Sequence, residues 1–176
     1  MPQDVYQHTY ANGLTLLVER MDHVRSAALN FRVPAGCVYD PPDQRGIASV
    51  LADLITRGAG KRTSRELSLA LDNLGLDRDE SVGAMHIRFW GSTLARNLPA
   101  ALDIYADILC RPHLPEDEVD AVRALALQDL AGLEDEPRQK VLIELNGRHF
   151  PPPLGQDRRG TVEGIESLTA DKLRSH

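Results

Sequence analysis

Apolar residues in this 176-residue chain change their spacing in blocks along the sequence. They recur at every second residue near the start, most regularly over residues 26–33, and at every third or fourth residue in several later segments. A spacing of two is typical of a half-buried strand, and a spacing of three and four is typical of a helix with one apolar face. Because strands and helices come in separate blocks, the pattern predicts an α+β fold, with an antiparallel or mixed sheet packed against helices on one face.

Turn and capping signals indicate where these elements begin and end. Asn12 and Gly13 form a hairpin turn signal, Thr63 and Glu66 form a helix capping box, and Gly75 is well placed to end that helix. The predicted strands cover residues 5–11, 14–19, 26–33, 76–82 and 85–91. The first three predicted helices cover residues 46–57, 63–74 and 98–109. A fourth runs from 115 past 133 toward 137, and the helical pattern then resumes through 145. A short last helix covers residues 169–174. We expect them to form a single domain, residues 1–176.

Charge and composition argue against several classes of protein. The chain has 26 acidic residues against 20 Lys and Arg, a net charge of −6, so the basic face of a nucleic-acid-binding protein is not expected. No stretch approaches the roughly 20 apolar residues of a membrane span, and residues 1–10 lack an apolar signal core. The compartment is therefore open, with the cytoplasm as the default expectation. Cys37 and Cys110 alone rule out a disulfide framework.

Local motifs do not by themselves predict a catalytic site. No two of the six histidines lie three to five residues apart, so the usual spacing of a zinc-binding pair is missing. Residues 58–63 superficially resemble a phosphate-binding loop, but they lack its glycine spacing and follow a predicted helix rather than a strand. They are interpreted as a connection between two helices.

Short motifs follow one another along nearly the whole chain, among them Asn12-Gly13-Leu14, Gly46-Ile47-Ala48 and Pro115-Glu116-Asp117-Glu118. In this order they resemble the pitrilysin, insulin-degrading enzyme and mitochondrial processing peptidase family of zinc metallopeptidases, the inverzincins. Active members carry H-x-x-E-H on a helix, where two histidines bind zinc and the glutamate is the general base. A glutamate on a later helix is the third zinc ligand in the family. The motifs that carry the resemblance lie at residues 12–14, 35–42, 46–53, 57–63, 98–112, 115–118, 150–155 and 160–169.

At the positions that match the family's metal site, this sequence has other residues. Ser49 and Asp53 stand where the two histidines belong, Ala52 replaces the glutamate base, and Asp129, 76 residues after Asp53, replaces the third ligand. Ser49, Ala52 and Asp53 share one helical face. A catalytic zinc site needs three protein ligands and a base for the bound water. The resemblance therefore implies vestigial positions, with no catalytic residue, no metal ligand and no cofactor, although active relatives bind zinc.

A second departure concerns the family's substrate-binding edge strand. In the matching region, residues 75–81, Asp79 and Glu80 stand in place of the Asn-Ala of active relatives, and Ser81 follows them. Charged residues on an edge strand also block unwanted strand pairing. We expect a normal peptide-binding edge to be absent here.

These features together predict the N-terminal domain of a non-catalytic family member, expected to be a fragment of a longer two-domain subunit. The leading hypothesis is an inactive partner or regulatory subunit of an active H-x-x-E-H peptidase. The expected partners are a catalytic subunit or a second copy of the chain, together with peptides. Neither a nucleic acid nor a membrane is expected as a partner. Two alternatives stay open: an active metalloendopeptidase with an altered site that uses Asp53, Asp129 and another ligand, and a free-standing binding module.

Overall fold

The strands form two antiparallel sheets in a computed structural model, which describes residues 4–176. β1 (Val5–Thr9) and β2 (Thr15–Glu19) pair as a separate hairpin. β3 (Ser26–Val33), β4 (Asp77–Val82) and β5 (Ile87–Leu94) form the larger sheet in the order β3-β5-β4. Pairing within both sheets is antiparallel, and the first two strands do not join the larger sheet.

The hairpin turn lies where the sequence predicts it. Gly13 has a φ of +88°, which favours glycine, and the Leu14 amide donates a hydrogen bond to Asn12 Oδ1 at 3.1 Å. β1 ends at Thr9, two residues before the predicted end of the strand.

The helices correspond to the predicted ones, with corrected boundaries and one addition. The fourth helix does not begin at Pro115, because residues Glu116–Glu118 form a 3₁₀ turn before it. It ends at Gly132 rather than past Leu133, because a second 3₁₀ turn follows. The sixth helix was not predicted, since its five residues are too few to show an apolar period. The helices are α1 (Ile47–Leu54), α2 (Ser64–Asn73), α3 (Leu98–Cys110), α4 (Val119–Gly132), α5 (Pro137–His149), α6 (Val162–Glu166) and α7 (Ala170–Ser175).

The short helix α1 lies between two hydrophobic cores. Ala48 and Ala52 pack into the first core, which joins the inner face of the larger sheet to α2 and α3. Val50 and Leu54 pack into the second core, which joins α1 to α4, α6 and α7. Because both sides of α1 are covered, its position is set by the sheet on one side and by α4 on the other.

A buried carboxylate holds the start of α1. Asp40 Oδ2 accepts a hydrogen bond from the Gly46 amide at 2.8 Å, and Asp40 Oδ1 accepts one from the Ala48 amide at 3.3 Å. These are amides that a helix start leaves without an intrahelical partner. Burial raises the pKa of Asp40, while the two hydrogen bonds act in the opposite direction.

The segment between α1 and α2 is a connection between helices, as predicted. Ala59 is buried in this segment and pairs with Arg62 and with Pro112. Thr63 and Glu66 form the predicted capping box at the start of α2. Among the described residues, no helix combines the length and apolar character that crossing a membrane requires.

Candidate functional site

The packing of α1 against α4 brings two of the predicted site residues into one cleft. Val50 and Leu54 of α1 share the second core with Val122 and Ala126 of α4. Asp53 of α1 and the more distant Asp129 of α4 therefore line the same cleft, whose volume is about 340 Å³. The cleft is lined by Asp53, Thr56, Arg57, Ser64, Ser68, Glu80, Leu125 and Asp129.

The other two predicted positions do not contribute to this cleft. Ala52 is only 3% exposed and packs in the first core beside the sheet. Ser49 is half-buried on α1 and is not among the residues that line the cleft. Of the four positions matched to the family's metal site, only the two carboxylates face the cleft.

The three residues predicted on the substrate edge lie on β4, an edge strand of the larger sheet, but they do not share a face. Glu80 is half-buried and lines the cleft beside α1. Asp79 is exposed and its carboxylate accepts a hydrogen bond from the Trp90 indole N–H at 3.4 Å. Because side chains alternate along a strand, Asp79 and Ser81 belong to the face opposite to Glu80.

The carboxylates of the cleft influence one another and one arginine. Burial raises the pKa of Asp53; Arg57 lowers it, and Asp129 raises it further. Burial also raises the pKa of Glu80, and Asp53 adds to that rise while Arg57 opposes it. Arg57 also forms an ion pair with Glu118 at 3.5 Å. Among the residues that line the cleft, Arg57 carries the one positive charge that compensates its acids.

This set of donors does not fit a catalytic zinc ion. Asp53 and Asp129 offer oxygen atoms but no imidazole, and oxygen ligands without nitrogen or sulfur suit zinc poorly. The side chain at the base position is the methyl group of Ala52, which cannot accept a proton. Within residues 4–176, no group of three or more His, Cys, Asp or Glu side chains is arranged to hold a metal ion.

The structure adds two features of the site that the sequence interpretation missed. Arg57 follows Asp53 by four residues, a spacing that places both side chains on one side of a helix and its continuation. Glu80 was treated as part of an external edge, although the alternation of β4 points it toward the helices. The spacing of Arg57 from Asp53 could have revealed the first feature. The direction of Glu80 could have been found only if the register of β4 was known.

Comparison with known proteins finds relatives that are named zinc proteases. The family model described as Insulinase (Peptidase family M16) matches residues 15–150. An uncharacterized zinc protease of Streptomyces coelicolor is 29% identical over 171 residues, which are 97% of this chain and 37% of that protein. An uncharacterized zinc protease of Rickettsia bellii is 30% identical over 161 residues, 91% of this chain and 39% of that protein. The chain thus spans under two fifths of the length of these relatives.

Solved structures agree on the fold. A peptidase M16 inactive domain from Pseudomonas fluorescens superimposes with a TM-score of 0.87 at 18% identity, covering 98% of this chain and 42% of that one. Pitrilysin superimposes with a TM-score of 0.82 at 19% identity, covering 98% of this chain and 19% of that one. The predicted fold class, an antiparallel sheet with helices as in the pitrilysin-like domain, is confirmed.

Proposed function

Because the chain belongs to the insulinase family of peptidases, M16, we propose that it is a non-catalytic member of that family, which serves as the partner or regulatory subunit of an active H-x-x-E-H peptidase. The observation that carries the proposal is the set of residues at the positions matched to the family's metal site: two carboxylates, Asp53 and Asp129, line the cleft, and the methyl group of Ala52 packs in the first core.

The loss of the base is enough to remove most of the expected activity. A positioned general base contributes a factor of about 10²–10⁴ to a hydrolytic rate. Ala52 supplies none, and it lies in the first core rather than in the cleft. The loss of both imidazoles removes the nitrogen ligands that zinc prefers, so the water that a metal would activate also lacks a site.

The retained architecture supports a role based on shape. The cores on both sides of α1 are complete, Asp40 holds the helix start, and Thr63 caps the next helix. A structural neighbour is itself described as an inactive M16 domain, which shows that the family includes such domains. A domain that keeps its packing while lacking ligands and base is suited to binding rather than to chemistry.

One observation favours the alternative of an active peptidase with an altered site. Glu80 brings a third carboxylate to the cleft of Asp53 and Asp129. Against it stands the positive charge of Arg57, which lines the same cleft and disfavours a second cation there. Elemental analysis separates the two: a tightly held zinc ion at about one per chain, retained against a weak chelator, would support the alternative.

The partnership is tested with the full-length protein and an H-x-x-E-H homologue. Titration of the first into the second should form a complex, measured as mass by light scattering, and should change the rate of peptide cleavage. The protein alone should cleave unfolded peptides no faster than a buffer control. No complex and no change in rate at micromolar concentrations would reject the partnership and leave the free-standing binding module.

A further inference from the structure

Within residues 4–176, helices cover only one face of the larger sheet. On β3 and β5 the inner face contributes Phe31, Val33, Ile87 and Phe89 to the first core. The alternate residues point the other way, and all of them except the half-buried Ser92 are exposed. We call this outer surface the arginine face and define it by Asn30, Arg32, Arg88 and Trp90.

Two arginines lie directly opposite each other on this face. In the antiparallel register, Arg32 of β3 pairs with Arg88 of β5. Side chains in such positions have Cβ atoms about 4.5–5.5 Å apart, and like charges placed there repel each other. The arrangement therefore costs stability unless an anion lies between the two guanidinium groups.

No acidic side chain of the described residues neutralises this pair. The neighbour of Arg88 on β4 is Ser81, which carries no charge. Asp79, the nearest acid along β4, pairs with Trp90 and accepts a hydrogen bond from its indole. Every ion pair found within residues 4–176 involves other basic residues.

We propose that the arginine face binds a carboxylate-rich segment of another polypeptide. The planar guanidinium groups of Arg32 and Arg88 match carboxylates, which they can bind through two parallel hydrogen bonds each. Trp90, 36% exposed two residues from Arg88, adds an apolar ring against which the segment can pack. A nucleic acid is disfavoured, since its binding proteins present an extended basic surface and this face offers two arginines. The proposal does not depend on the partnership proposed above.

The chain contains its own reporter for this interaction. Trp90 is the single tryptophan of the sequence, so tryptophan emission, excited at a wavelength that the tyrosines do not absorb, reports on the arginine face. We expect an acetylated, amidated hexaglutamate peptide to change that fluorescence in a saturable way, and a hexaglutamine peptide to leave it unchanged. Arg32→Gln and Arg88→Gln should each weaken the affinity by about tenfold or more, because each removes a charge-assisted hydrogen bond. The control is Arg65→Gln, an exposed arginine on α2, which should bind as the unsubstituted chain does.

A thermal measurement makes the test independent of fluorescence. Without peptide, Arg88→Gln should keep or raise the melting temperature, since it relieves a like-charge contact. With hexaglutamate, only chains that retain both arginines should gain stability. Four results would overturn the proposal: no saturable change at millimolar peptide, equal losses in the Arg65→Gln control, displacement by inorganic phosphate at equal concentration, or arginine-dependent self-association seen by light scattering before peptide is added.

Discussion

At the scale of single residues, Ala52, which the motifs match to the family's base position, is part of a core. Ala52 contacts the first core from α1, while its neighbour Asp53 faces the cleft on the other side of the backbone. A glutamate at position 52 would carry its carboxylate either into apolar surroundings or toward the acids of the cleft, Asp53 and Glu80. Both environments disfavour a negative charge.

We therefore predict that Ala52→Glu destabilises the chain by about 2 kcal/mol or more, the usual cost of a buried polar group without a partner. Ala106→Glu is the matched control, because Ala106 is an exposed position within α3, where the change should stay within about 0.5 kcal/mol. Urea unfolding of both variants measures the difference. Equal values would show that position 52 opens to solvent.

A variant with four substitutions, one of them at position 52, should bind zinc. Ser49→His, Ala52→Glu, Asp53→His and Asp129→Glu together restore the family's ligands and base. Zinc should raise the melting temperature of this variant and leave the unsubstituted chain unchanged, because binding to the folded state alone stabilises it. A variant that folds but ignores zinc would show that these positions are wrongly matched.

A second residue with a large electrostatic role is Asp107 of α3. Hydrogen bonding from Arg111 lowers the pKa of this carboxyl, and Arg62, at 2.9 Å, contributes further. A carboxyl whose pKa is lower in the folded than in the unfolded state stabilises the fold above its unfolded pKa. That contribution is lost as the pH falls through the lower, folded value.

We predict that Asp107→Asn lowers the melting temperature at pH 7 and that the difference from the unsubstituted chain shrinks below the ordinary Asp value of 3.8. Melting curves between pH 7 and pH 3 follow the difference. Asp103→Asn, an exposed position one turn earlier in α3, serves as control. A difference that stays constant with pH would show that the effect of Asp107→Asn is one of packing rather than charge.

At the scale of elements, the segment before α6 crosses the start of α1 at a pair of glycines. A Cβ atom on Gly160 would lie 2.3 Å from the Arg45 carbonyl oxygen and 2.4 Å from the Gly46 Cα. Gly160 also has a φ of +93°, which an L side chain rarely adopts. The crossing therefore requires glycine for two independent reasons.

Gly160→Ala should destabilise the chain by more than about 1 kcal/mol, since it combines a backbone clash with positive-φ strain. Gly132→Ala at the end of α4 is the control: its Cβ would meet nothing within 4 Å, and alanine favours the helix. The control should be neutral or slightly more stable in thermal melts. If Gly160→Ala behaved like the control, the two segments would have to separate easily.

Some boundaries of the helices and strands could be predicted from the sequence, and others could not. β3 was predicted to the residue, because alternate residues of an edge strand with one covered face display the period of two directly. The start of α4 was misplaced, since acids after a proline suit a 3₁₀ turn as well as an α-helix. Asp53 and Asp129 came from matched motifs, whereas the inward direction of Glu80 depended on a strand register that periodicity in so short and polar a strand does not supply.

At the scale of the whole molecule, the β1–β2 hairpin stands apart from both cores. All ten of its strand residues are exposed, and none contributes to either hydrophobic cluster. Isolated two-stranded hairpins are marginally stable in water. The stability of the folded chain therefore resides in the sheet and helices around α1.

We predict that backbone amides of the hairpin exchange with deuterium much faster than those of β3 and β5, because local opening there costs little. Gly13→Ala should accelerate exchange in the hairpin through its strained turn, without lowering the melting temperature of the chain. Mass spectrometry of exchanged peptides measures both effects. Protection of the hairpin equal to that of β5 would mean that it opens only with global unfolding.

The contact between α1 and α4 has a consequence for cold. The two helices meet in the described structure through apolar side chains, Val50 and Leu54 against Val122 and Ala126. Apolar contacts weaken on cooling, whereas bonds to a shared metal respond to chelators and acid. Cooling should therefore loosen the walls of the cleft, because it weakens the apolar contacts that hold α1 against α4.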